Sequence, residues 1–130
     1  MHITTSPAQW AASFLLLVAG AAHLPLISEH LEEAPYIGWL FIGLASVCFV
    51  LAVVILFVDH AGVWVVSGLV CFAALVAFLA SRTIGLPQIG DDVGNWTEPL
   101  GFPAVASELL MAVLAYVHVR NRRTPARELA

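Results

Sequence analysis

Four long apolar runs dictate what this chain can fold into. Trp10 to Ile27, Tyr36 to Val58, Val63 to Ala80 and Phe102 to Val119 each match the roughly 17 to 25 residues needed to cross about 30 Å of hydrocarbon as a helix. Among Asp, Glu, His, Lys and Arg, these runs contain just His23, Glu108 and His118. Their apolar residues are continuous rather than alternating, which excludes a small β-barrel with one lipid-facing and one polar face. The expected fold class is therefore all-α: a four-helix transmembrane bundle forming a single membrane domain over residues 1–130. It is connected by residues 28–35, a tight turn at Asp59-His60-Ala61-Gly62 and a longer loop, 81–101.

Composition removes whole classes of function. Of the 130 residues 61% are hydrophobic and 11% charged, whereas a soluble domain carries about 25% charged residues, so a soluble globular enzyme is excluded. The cations are five Arg with no Lys, and a chain so poor in positive charge lacks the footprint of nucleic-acid binding.

The first run invites a comparison with a cleaved signal peptide, because Ala19-Gly20-Ala21-Ala22 supplies small residues of the kind found before a cleavage site. The segment Met1 to Gln9 has no Lys or Arg to make a positive n-region. Ser6-Pro7-Ala8-Gln9 reads instead as a helix start, with Ser6 as N-cap, Pro7 at the first helical position and Gln9 closing a capping box. Orientation follows from the cations, since Arg-rich short segments stay on the cytoplasmic side. Four of the five Arg (Arg120, Arg122, Arg123 and Arg127) lie in the tail 120–130. Both termini and the Asp59/His60 turn are then expected on the cytoplasmic side of a cell membrane. Glu29, Glu32, Glu33, Asp91, Asp92 and Glu98 face outward against Arg82 alone.

The ionisable groups in hydrocarbon are the first candidates for function, since each costs at least about 2.5 to 3.5 kcal/mol at the bilayer centre and normally faces a partner or a cavity. Glu108 lies about 9 Å along its helix from the outer end and shares a face with Ala104, Ala112 and Ala115. His23 reaches a similar depth, about 6 Å before the end of the first span, so the two are expected to meet. His30 follows His23 by seven residues, on the same face of an unbroken helix, and Pro25 between them threatens that alignment. His23, Glu29, His30 and Glu108 together form a candidate outward-facing site for a transition metal or another cation, because imidazole and carboxylate suit such ions. The plainer alternative is a His23–Glu108 clasp joining the first and fourth helices. A third reading is a proton-coupled small carrier protonated on Glu108.

On the inner side His60 and His118 offer a further alternative, two axial ligands for a b-type haem, although the tight turn and the helix end explain both without it. Cys48 and Cys71 fall mid-span and outside any C-x-x-C pair, where a thiol packs as a small apolar group. In the loop 81–101, Arg82 is expected to neutralise Asp91, Asp92 or Glu98 and pin the loop over the bundle mouth, with Trp96 at the interface. Asp91-Asp92-Val93-Gly94-Asn95 lacks the ligand spacing of a calcium loop.

The run Ser81-Arg82-Thr83-Ile84-Gly85-Leu86-Pro87, with Trp96, Glu98, Gly101 and Glu108 after it and Ala22-His23-Leu24 and Glu29-His30 before it, resembles a group of small four-span membrane proteins common in actinobacteria. The resemblance spans most of the chain and implies a four-helix protein of a bacterial cell membrane. That group often has Gly-Pro after Gly-Leu-Pro, where Gln88-Ile89-Gly90 stands here, so it does not fix the loop conformation. It brings no activity with it. The functional expectation is thus a binding module rather than an enzyme, or an accessory subunit of a larger membrane complex. Short helices with small-residue faces also suit a homo-oligomer in the lipid bilayer.

Overall fold

The computed structural model describes residues 4–123, so Arg127 and Glu128 of the basic tail lie outside the described residues. It is all-helical, with no strand among those residues. The helices are α1 (Pro7–His23), α2 (Ile27–Glu33), α3 (Pro35–Phe57), α4 (Ala61–Thr83) and α5 (Gly101–Arg123). Four segments, Pro7–Glu33, Pro35–Phe57, Ala61–Thr83 and Gly101–Arg123, are long and apolar enough to cross a membrane. Their outward surfaces carry large exposed apolar side chains such as Phe14, Val50, Leu69, Phe72, Leu110 and Tyr116, an arrangement that lipid rather than water would cover.

Local chemistry sets the helix ends. Ser6 accepts the Gln9 backbone N–H while the Gln9 side chain accepts the Ser6 N–H, completing the capping box ahead of Pro7. Pro25 does not end the first rod. It sits in a single 3-10 turn, Leu24–Leu26, after which α2 continues to Glu33. The expected connection 28–35 is therefore largely helix, and Ala34 alone turns the chain before Pro35 opens α3 at its first position. The Glu-His-Leu-Glu-Glu sequence contains no helix breaker, and proline suits N1 because it has no N–H to lose. At Gly38, α3 comes so close to α2 that a Cβ would lie 2.6 Å from the Leu31 side chain and 2.8 Å from its backbone nitrogen. His60 caps α4 by accepting the Gly62 N–H. Gly85, at φ +82°, closes the helix from the left-handed region as its N–H reaches Ala80 O, a conformation glycine adopts without penalty.

Helix α1 is central and packs against both α3 and α5, while α4 packs mainly on α5. A polar ladder holds α1 to α3, with Gln9 Nε2 donating to Ile55 O, Ser13 Oγ to Ala52 O and Thr5 Oγ1 to Leu56 O. The main core lies toward the Asp59/His60 turn, where Ala12, Leu16, Ile55, Trp64, Met111 and Ala115 meet. Cys48 and Cys71 are free thiols buried in that cluster. Helices α3 and α4 are consecutive but meet far less than the other paired spans. Toward the loop end they leave a gap between them.

Candidate binding site

The gap is a cavity of about 600 Å³. Trp39, Gly43 and Val47 of α3 line one side, Ala73, Ala77 and Phe78 of α4 the other, and His23 and Glu108 the back. Trp39, Val47, Ala73 and Ala77 are also exposed, so the cavity opens sideways between α3 and α4 onto the lipid-facing surface. Small residues usually mark the close-packed side of a membrane helix. Here Ala73, Ala74 and Ala77 hold space open instead.

At the back wall, His23 Nε2 lies 3.7 Å from Glu108 Oε1, with both side chains buried. That is too long for a hydrogen bond, and Glu108 Oε1 has no hydrogen-bond partner. The other imidazole nitrogen, Nδ1, is 2.8 Å from Ala19 O. A carbonyl can only accept, so Nδ1 carries the proton. The His23 ring stands edge-on to Phe41 at 4.9 Å. His30, also on the cavity wall, packs on the same Phe41 ring at 4.9 Å and donates from Nδ1 to Leu26 O. The 3-10 turn at Pro25 thus leaves the two histidines facing one neighbour.

Arg82 closes the loop end. Its guanidinium is buried, 3.2 Å from Asp92 and 2.5 Å from Glu98, and it also donates to Ser81 Oγ. Its ring-side face lies 4.6 Å from the Phe78 centroid, a cation–π contact. The loop is tied down further by Gly94 N–H to Arg82 O, by Tyr36 OH to Pro87 O, and by Ile89 buried against Ala34 and Ile37. Asp91 is exposed and takes no part in these contacts.

Two groups of sequence candidates are placed elsewhere. Glu29 is exposed on α2 and does not line the cavity, because one residue before His30 on a helix points to a different face. His60 and His118 are not arranged as a haem pair. The first is exposed and spends Nδ1 on its cap. The second stacks on Trp64 at 3.8 Å and accepts the Arg122 Nε–H on Nε2. Asp59 completes that knot by accepting the Trp64 indole N–H and pairing with Arg122. Among the described residues no group of three or more His, Cys, Asp or Glu side chains converges as a metal site.

Tyr36, Trp39, Phe41 and Phe78 add an aromatic lining that the sequence pattern does not single out. Apolar side chains at these positions read equally well as core or lipid face, so periodicity gave no signal. Set against protein-family models, curated proteins and solved structures, the chain matches none of them.

Proposed function

We propose that this chain is a multi-pass protein of the cell membrane that takes a lipid-soluble molecule from the bilayer into the α3–α4 groove, with the ligand's polar group set against Glu108 and His23. One observation carries the reading: a buried carboxylate oxygen without a hydrogen-bond partner at the back of an open apolar groove. An unpaired buried polar atom costs about 1 to 3 kcal/mol, and a ligand that pairs it recovers that cost. The groove's apolar wall with few convergent polar groups is the usual make-up of a small-molecule site. Arg120, Arg122 and Arg123 at the far end of α5 favour a cytoplasmic location for that end, which turns the groove's loop end outward.

The His/Glu site faces outward, and its ligand is a lipid-soluble molecule rather than a metal ion. A transition metal finds two candidate donors at the back wall, not three. A pure His23–Glu108 clasp has less support, because the pair does not close to hydrogen-bonding distance.

The test is photolabelling of the purified protein in phosphatidylcholine nanodiscs with a dodecanol carrying a diazirine beside the hydroxyl. Saturable labelling at Glu108, His23 or Phe41 is expected, and Ala74→Phe, which fills the groove, removes it. Labelling that is unsaturable, unaffected by Ala74→Phe and equally strong at Phe14 or Leu110 overturns the proposal.

A further inference from the structure

We infer that the groove's ligand is a lipid-soluble primary amine, a free single-chain amphiphile whose ammonium head bridges Glu108 and His23; this rests on the groove reading above. The first reason is the arrangement of hydrogen-bonding atoms. Ala19 O fixes a proton on Nδ1, so in the neutral imidazole Nε2 turns a lone pair toward Glu108 Oε1. When Glu108 is ionised, two acceptors therefore face each other across 3.7 Å. A bridging atom between such groups must donate to both. An ether or ketone head donates nothing, and an alcohol supplies one hydrogen. A primary ammonium supplies three and adds a charge opposite to that of the carboxylate, which strengthens the bond.

The surroundings point the same way. The rings of Tyr36, Trp39, Phe41 and Phe78 line the cavity, and aromatic faces attract ammonium groups. At the loop end Arg82 is shared by Asp92 and Glu98. Arg82 Nε itself lacks a partner, yet its guanidinium is outnumbered by carboxylates, so an anionic head meets no net attraction there. Depth separates a free amine from a lipid headgroup. Glu108 is seven residues from the start of α5 at Gly101, about 10 Å along the axis. That is below the plane where a phospholipid amine sits. The buried carboxylate offsets the cost of bringing a cation to that depth.

The experiment ranks competitors of the photoreactive dodecanol in phosphatidylcholine nanodiscs: dodecylamine, dodecyltrimethylammonium, dodecanol and dodecanoate. Dodecylamine is expected to displace the label at a concentration about tenfold below any of the others, the least a charge-assisted hydrogen bond contributes. Adding phosphatidylethanolamine to the discs is expected to leave the labelling unchanged. Glu108→Gln is expected to bring the amine level with the alcohol. Equal or better competition by dodecanol, dodecanoate or the quaternary ion overturns the amine assignment while the groove stands. Displacement by phosphatidylethanolamine overturns the free amphiphile as the source. Absence of saturable labelling overturns the groove itself and this inference with it. The ranking is read on the unaltered protein, so it holds even if Glu108→Gln fails to fold.

Discussion

His23 Nε2 and Glu108 Oε1 face each other at 3.7 Å across the back of the α3–α4 groove, buried and without a hydrogen bond between them. The pair spans α1 and α5, which already pack together through Leu16, Ala19, Met111 and Ala115. Apolar packing therefore joins these two helices without a hydrogen bond between the polar pair.

Glu108→Gln is accordingly expected to leave stability within about 1 kcal/mol of the starting protein, since an isosteric neutral group replaces an acid whose Oε1 has no partner to lose. Thermal unfolding in detergent, followed by circular dichroism, measures this. A loss of several kcal/mol would restore the clasp as the role of the pair.

Arg82→Gln should act differently. It leaves Asp92 and Glu98 facing each other with no cation, and their side chains are 24% and 26% exposed. Breaking a fully buried pair costs about 3 to 5 kcal/mol, and partial exposure brings this down to about 2. The loss should be concentrated in the loop, read as faster amide exchange and faster proteolysis over residues 84–100 with little change in α1 or α3. Uniform loosening of all helices would contradict the pinning role.

How far the sequence foretold the site depends on which physical quantity was needed. That four spans exist follows from run length at a fixed rise per residue, so it could be read directly, whereas the first span runs on to Glu33 and His23 lies farther from its end than the apolar run implied. Arg82 stood out as the lone cation beside three loop acids. The groove was hidden, because it depends on α1 lying between α3 and α5 and on α3 and α4 diverging toward the loop. No pattern of Ala73, Ala74 and Ala77 distinguishes residues that let helices touch from residues that line a gap. The extension of α2 through Glu33 was missed because its charged residues resemble a loop when hydropathy is the criterion.

Ser13→Ala removes the hydroxyl that donates to Ala52 O. A single interhelical hydrogen bond in a membrane protein averages about 0.6 kcal/mol, and that is the expected loss. Gln9→Ala removes both the bond to Ile55 O and half of the capping box, so it should cost about 1 to 2 kcal/mol. Equal effects in the same unfolding assay would mean that the cap adds nothing.

Gly38→Ala and Gly43→Ala place the same methyl group on the same helix with opposite expectations. Each substitution gains up to about 1 kcal/mol of helix propensity. At Gly43 nothing lies within 4 Å of the added Cβ, so the gain is kept and stability should rise slightly. At Gly38 the Cβ would lie 2.8 Å from the Leu31 backbone nitrogen, an atom that moves only if α2 moves. Overpacking costs about 1 to 3 kcal/mol, and with backbone rather than a flexible side chain in the way the upper figure applies, outweighing the propensity gain. Gly38→Ala should therefore destabilise by about 2 kcal/mol and displace α2, carrying His30 away from Phe41. Equal stability of the two variants would mean that α2 does not rest on α3 as the structure has it.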